Sequence, residues 1–262
     1  MKLTIKDLSF SYKDNKVLNN ISFDANDREV IALLGKNGSG KTTLLKNILG
    51  LLTPSSGTIL VDDKDLSKLS VRDRSKLLSY IPQSPSNIWS YSVKSYVLMG
   101  ITPSLSTLSS PKEKDDAKAI DALERFGISS LADRDITTLS GGERQLATAA
   151  RALLQNSRIQ LFDEPTSNLD LKNADILIRH IKALSKEGYI SLITMHDITE
   201  ALNIASRILI LDRGKVFFND SVDKLSSEIL SEYYQTKMNI ERYKNQYIVL
   251  KECLWCGGVM IK

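Results

Sequence analysis

The sequence predicts an α/β fold organised around a phosphate-binding loop, and three observations carry that prediction. Gly35-Lys36-Asn37-Gly38-Ser39-Gly40-Lys41-Thr42 matches the pattern G-x-x-x-x-G-K-[ST]. Apolar runs of strand length recur at residues 30–34, 58–61, 159–162 and 189–195. Between Ser84 and Asn156 such runs vanish and helical spacing takes over, which reads as a helical insertion in an α/β domain.

The loop is defined by its context as much as by its pattern. Val30-Ile31-Ala32-Leu33-Leu34 ahead of it reads as a fully buried strand, and residues 43–49 after it read as a helix stopped by Gly50. A strand feeding a glycine loop that opens a helix lets backbone N–H groups turn inward around phosphate oxygens. The helix N-terminus adds partial positive charge at the same place. Lys41 would reach the β- and γ-phosphates, and the Thr42 hydroxyl would ligate Mg²⁺.

At 262 residues, 42% apolar and 25% charged, the chain can bury a full core. A net charge of +4 is too mild to argue for a nucleic-acid partner. No apolar run approaches the roughly 18 residues of a membrane span. Residues 1–7 alternate apolar and polar like a strand and lack a signal-peptide core, which predicts a cytoplasmic protein.

Along the chain, residues 3–10 and 21–23 read as short strands flanking a turn at Lys13-Asp14-Asn15. Tyr12 sits between them, either as a core aromatic or as a surface on which a base could stack. A turn cluster at 53–57 precedes the 58–61 strand, and residues 77–82 form another strand that ends at Gln83. In the helical block, 93–99 is a short amphipathic helix ending at Gly100, and 101–110 is a Ser/Thr/Pro-rich loop. Pro111 opens a helix through Phe126, with Ala119, Ala122, Leu123 and Phe126 on one face and Gly127 as its stop. Ser140 with Glu143 three residues on fits a capping box for a further helix. Gly141 and Gly142 in its first turn weaken that helix, or else let a ligand approach an anion-attracting helix end.

The strand at 159–162 delivers Asp163-Glu164, two carboxylates with a ready division of labour beside a phosphate loop. Asp163 can hold Mg²⁺, and Glu164 can take a proton from an attacking water. A helix over 169–187 carries Ala174, Leu177, Ile178, Ile181 and Leu184 on one face. The strand at 189–195 then brings His196 to the sheet edge that Asp163 occupies. Residues 207–219 read as a hairpin turning at Asp212-Arg213-Gly214-Lys215. From Ser221 a polar helix leads into an apolar run at 246–250, and Cys253 with Cys256 makes half a zinc site at most.

These pieces together resemble the ATP-binding cassette (ABC) ATPases, the nucleotide-binding subunits of ABC transporters, over residues 1–225. Leu139-Ser140-Gly141-Gly142-Glu143 resembles the family signature, with Glu in its fifth place. Asp163 and Glu164 fit the Walker B acid and its catalytic neighbour, and Ser167-Asn168-Leu169-Asp170 the D-loop. Gln83 fits the Q-loop, His196 the switch histidine, and Tyr12 the adenine platform. The resemblance implies a P-loop NTPase (RecA-like) core with an antiparallel β subdomain, residues 1–83 and 157–225, and an inserted α-helical signature subdomain, residues 84–156. A C-terminal extension, residues 226–262, follows. It implies ATP and Mg²⁺ as cofactors, held by Tyr12, Gly35, Lys36, Asn37, Gly38, Ser39, Gly40, Lys41, Thr42 and Thr43. Thr42, Gln83 and Asp163 would serve the metal, and Glu164, His196, Lys41 and Gln83 catalysis. It also implies an ATP-bound head-to-tail homodimer, each nucleotide lying between one subunit's P-loop and the other's Ser140, Gly141 and Gly142. Integral-membrane permease subunits and, indirectly, a substrate-binding protein would be the partners, at the cytoplasmic face of the plasma membrane.

A finer resemblance is to the ATPases of metal-chelate importers, those for iron–siderophore, haem, vitamin B12 and molybdate. It rests on Tyr91-Ser92-Val93 with Val97-Leu98-Met99-Gly100, and on Leu131-Ala132-Asp133-Arg134. Ile101 stands where the subgroup usually has Arg. A DNA-repair or chromosome cassette would need a long coiled coil where this chain has 84–156, and a ribosome-associated factor a second P-loop. An exporter motor usually comes fused to its membrane spans. These contrasts favour an importer, and the resemblance to the metal-chelate subgroup implies iron(III)–siderophore, its commonest cargo, as the expectation, with haem, cobalamin and molybdate as the alternatives.

Overall fold

In a computed structural model, described for residues 1–84, 89–106, 109–252 and 259–261, β1 (Lys2–Tyr12) and β2 (Asn15–Asn26) pair antiparallel about a two-residue turn. Both strands outrun the short apolar stretches expected of them, and Asn15 is paired with Tyr12 rather than lying in the turn. The backbone ladder carries the pairing through polar positions that have no strand signature of their own. β3 (Val30–Leu34) is buried at every position and runs into the glycine loop and α1 (Lys41–Leu49), which Gly50 closes in the left-handed conformation. β4 (Ser56–Val61) and β5 (Lys64–Asp65) complete a four-stranded sheet in the order β2-β1-β4-β5. α2 (Val71–Leu77), capped by Ser70, was not foreseen because none of its residues is buried and no apolar stripe marks it. β6 (Leu78–Ile81) follows directly.

The helical block opens with α3 (Val93–Leu98), capped by Ser92. It passes into a 3₁₀ turn, Met99–Ser104, instead of stopping at Gly100. A Cβ on Gly100 would lie 2.3 Å from the Arg151 carbonyl, so this glycine serves close packing rather than termination. α4 (Glu113–Arg125) takes Lys112 as its N-cap, which leaves Pro111 ahead of the helix, and its expected apolar face is buried. α5 (Gly141–Gln155) is the long helix of the block.

β7 (Ile159–Asp163), α6 (Leu171–Lys186), β8 (Ile190–Thr194), α7 (Ile198–Ile204), β9 (Arg207–Asp212) and β10 (Lys215–Ser221) return the chain to the main sheet. Its order is β10-β9-β3-β8-β7-β6, parallel except for the β9–β10 hairpin. Alternate residues of β3 enter different cores: Val30, Ala32 and Leu34 face the helices, while Ile31 and Leu33 face the four-stranded sheet. Pairing of Asp163 with Thr194, and of Leu33 with Thr194, sets the ends of β7, β8 and β3 along one carboxyl edge. In an open α/β sheet that edge is where ligands bind.

From Ser221 the sequence predicts a polar helix leading into one apolar run, whereas Ser221 still belongs to β10. The structure has α8 (Ser227–Tyr234) followed by a three-stranded sheet, β11 (Met238–Tyr243), β12 (Gln246–Glu252) and β13 (Val259–Ile261). Asn203 of α7 exchanges two hydrogen bonds with the Tyr247 backbone, and Thr199 Oγ1 accepts from Val249 N. Leu230 is fully buried in the same core as β3. Leu230→Ala should therefore cost about 2–5 kcal/mol in urea unfolding, and a loss below about 0.5 kcal/mol would mean that α8 is only loosely docked. Cys253 and Cys256 lie outside the described residues. No described helix is long and apolar enough to cross a membrane.

Candidate nucleotide site

The loop between β3 and α1 forms a tight cradle because its glycines accept geometry closed to other residues. Gly40 has φ +105°, and a Cβ there would lie 2.8 Å from Leu18. Lys41 Nζ folds back to donate to the Gly35 carbonyl at 2.7 Å and the Lys36 carbonyl at 3.4 Å. Burial pulls its pKa down, opposed by the carboxylates of Glu164 and Asp163. Ser39 Oγ is buried with no hydrogen-bond partner among the described residues. A loop with a buried ammonium bonded only to backbone carbonyls, and an orphaned hydroxyl, is matched to an anionic ligand. Asn37 is exposed and Thr43 partly buried on the first turn of α1.

Asp163, 5% exposed, gathers three hydroxyls. Thr42 Oγ1 donates to Oδ1 at 3.1 Å, Thr194 Oγ1 to the same oxygen at 2.8 Å, and Tyr80 OH to Oδ2 at 3.1 Å. No cluster of three or more His, Cys, Asp or Glu that could hold a metal occurs among the described residues. One carboxylate beside one hydroxyl suits Mg²⁺, which keeps several waters and completes its shell with substrate phosphates. Thr194 and Tyr80 were missed in the sequence. Each is the polar residue at or near the carboxyl end of a buried strand, which is the signal that could have found them.

Glu164 faces elsewhere. It holds a left-handed backbone conformation, φ 47°, and its N–H donates to Thr194 Oγ1 at 2.8 Å. Gln83 Nε2 donates to Glu164 Oε2 at 2.5 Å, and His196 Nε2 stands 2.5 Å from Oε1. Gln83 thus meets Glu164 rather than the Thr42–Asp163 pair. Asn168 Nδ2 donates to the Gln83 carbonyl at 3.3 Å, tying residues 167–170 to the same corner.

Ser140 caps α5 as expected. Its Oγ accepts from Glu143 N at 3.2 Å, and Glu143 accepts from Ser140 N at 2.9 Å. The Ser140 hydroxyl, donating to Glu143 Oε2 at 2.8 Å, and the Ser140 backbone N–H together hold the Glu143 carboxyl below its ordinary pKa. A Cβ on Gly141 would meet open space, whereas one on Gly142 would lie 3.2 Å from Asn173. No hydrogen bond or ion pair among the described residues joins Ser140, Gly141 or Gly142 to the glycine loop. Gln145, one turn further along α5, donates to the Pro82 carbonyl at 2.9 Å, linking this helix to the chain entering Gln83. Tyr12 is 45% exposed at the end of β1, set edge-to-face on Phe10 with ring centroids 4.8 Å apart.

Residues 18–167 match the ABC transporter family. A Helicobacter pylori protein, whose name assigns it to iron chelatin transport as an ATP-binding protein, is 38% identical over 95% of this chain and 99% of its own length. The molybdate import ATP-binding protein of Haemophilus influenzae is 34% identical over 90% of this chain and 89% of that one. A solved structure described as a metal-chelate type ABC transporter in an inward-facing conformation superposes with a TM-score of 0.81 at 31% identity, covering 97% and 98% of the two chains. The chain belongs to the ABC transporter family and is an ATP-binding, ATP-hydrolysing cassette.

Proposed function

We propose that this cassette is the motor subunit of a metal-chelate importer, most specifically one for iron(III)–siderophore, and that it works as an ATP-closed homodimer on membrane permease subunits at the cytoplasmic face. The observation that carries the catalytic part is the Glu164 carboxylate, gripped by Gln83 and His196 one residue from the Asp163–Thr42 pair. In this reading the backbone amides of the loop and Lys41 bind the phosphates, and Tyr12 receives the adenine ring. Thr42, Asp163 and Gln83 would hold Mg²⁺, which would supply positive charge against the phosphate oxygens. Glu164 accepts the proton of the attacking water. His196 and Gln83 fix which way that carboxylate points, and Gln83 relays the occupancy of the site to the helical block.

Lys41 gives the first test. Its ammonium, bonded among the described residues to the Gly35 and Lys36 carbonyls, is the sole buried cation of the cradle's described residues. Lys41→Ala should weaken ATP binding itself, and equal affinities for both proteins by titration calorimetry would count against the loop as the nucleotide site.

The partner reading rests on the surface just after Gln83. Tyr91 and Met99 are exposed and Leu98 is partly buried, while Val97, expected on the same surface, belongs to the core. An apolar and aromatic patch of that kind suits a permease's cytoplasmic helix. A substrate-binding protein would act one step further away, on the outer side.

The cargo reading is supported by the iron chelatin relative and by residues 91–93, 97–100 and 131–134, which resemble the metal-chelate subgroup except at Ile101. Haem, cobalamin and molybdate are the competing cargoes. Cells lacking the gene should lose uptake of labelled ferric siderophore while retaining the other three. Unchanged siderophore uptake with loss of one of the others would replace the cargo and leave the importer standing.

A further inference from the structure

Tyr233, in the segment beyond residue 225, reaches the glycine loop directly. Its ring is buried, 4% exposed, against Phe217 at 5.1 Å and Tyr234 at 4.7 Å. The phenol oxygen accepts from the Lys36 backbone N–H at 2.8 Å and donates to the Leu211 carbonyl at 2.8 Å. Lys36 Nζ lies 5.3 Å over the same ring. One hydroxyl therefore bridges the second residue of the loop to the end of β9, the strand that flanks β3. Gly35 sits against that same Leu211 carbonyl, where a Cβ would lie 2.7 Å away. The loop is held at its far side by Gly214, whose N–H donates to the Ser39 carbonyl at 3.2 Å.

From this we infer that Tyr233 is a positioning residue for nucleotide binding, fixing the entry of the phosphate cradle from the C-terminal segment. A glycine-rich loop loses much conformational entropy when it closes on phosphates. A loop already pinned at Lys36 and Ser39 has less to lose, so the bridge lowers the cost of binding ATP without touching the reacting atoms. Without the hydroxyl, Lys36 N–H loses this bond at a partly buried position and Leu211 C=O at a buried one, and the entry turn is free to sample other conformations. The inference rests on the reading of residues 35–42 as the phosphate cradle.

The test separates binding from turnover. Tyr233→Phe keeps the ring and its packing but removes the bridge. It should raise KM and the calorimetric Kd for ATP roughly 3- to 10-fold, the range of one neutral hydrogen bond, with kcat within about twofold. Tyr234→Phe, on the same helix turn, should change neither. A purely structural role would lower kcat through loss of folded enzyme and leave KM alone, and that result would overturn the proposal. Unchanged KM and Kd in Tyr233→Phe, with binding lost in Lys41→Ala, would overturn it while sparing the cradle. Unchanged affinity in both variants would overturn both. Hydrogen exchange in the unsubstituted protein adds a reading that needs no variant: the Lys36 amide should be strongly protected, and exchange at the rate of an open loop would overturn the bridge.

Discussion

Glu164→Gln should lower steady-state ATP hydrolysis by about 10²-fold or more, the range expected for loss of a general base, while ATP binding survives. The amide is nearly isosteric with the carboxylate. Its oxygen can still accept from Gln83 Nε2, and its NH₂ can face His196, whose ring nitrogen accepts once the proton moves to the other nitrogen. What it cannot do is take a proton from water. The loop residues proposed to contact the phosphates are separate from Glu164, so affinity has no reason to fall. Closure should in fact last longer, because hydrolysis no longer ends it. Radiolabelled phosphate release and calorimetry measure the two halves independently. Near-normal hydrolysis would remove Glu164 from the role of base. A parallel fall in ATP affinity would mean that the substitution had disturbed Asp163 and Thr42 next to it.

The residues legible in the sequence are those whose chemistry is written locally. The loop from Gly35 to Thr42 is contiguous, with its strand and helix on either side. The Ser140–Glu143 capping box spans four residues and closes as its spacing predicts. Asp163 and Glu164 are marked by standing at the end of an apolar run. Thr194 and Tyr80, by contrast, act across the sheet: Thr194 meets Asp163 only because β7 and β8 pair in parallel at that register. A parallel register is set by the crossover connection, so no short window contains it. Tyr233 is further still from the loop it touches, and nothing in its neighbourhood says that its hydroxyl has a partner in Lys36. The terminal sheet was missed for another reason. Exposed Glu241, Arg242 and Tyr243 end β11, and the sheet meets the helices through β11 on α8 and β12 on α7 without a clean apolar alternation. What holds it is side-chain bonding from Asn203, Thr199, Ser227 and Ser231 to strand backbone, a pattern without a sequence period.

Ser140→Arg should abolish ATP-driven dimerisation, and the reason follows from what the monomer leaves unfinished. The cradle has its lysine, its amides and its acids, yet among the described residues Ser140, Gly141 and Gly142 make no bond to it; Ser140 and Gly141 are exposed and Gly142 half-buried at the start of a fifteen-residue helix. Gly141 has open space where a Cβ would stand. A helix N-terminus with free amides and no side chain in the way is built to meet an anion. The γ-phosphate on a second copy's loop is the anion the proposed head-to-tail dimer would bring there. Arginine at 140 fills that gap with a long side chain. It also removes the cap, which should cost about 1 kcal/mol, enough to lower the unfolding midpoint but not to unfold the subunit. The comparison is best made in the Glu164→Gln background, where hydrolysis does not dissolve the dimer. With ATP, Glu164→Gln alone should elute as a dimer in size-exclusion chromatography, and the Ser140→Arg/Glu164→Gln double variant as a monomer. Ser140→Ala/Glu164→Gln, which loses the cap without adding bulk, separates the two effects and should still dimerise, though less tightly. If the arginine variant dimerised as well as its background, the partner's phosphate would not dock at this helix end and the head-to-tail arrangement would be wrong.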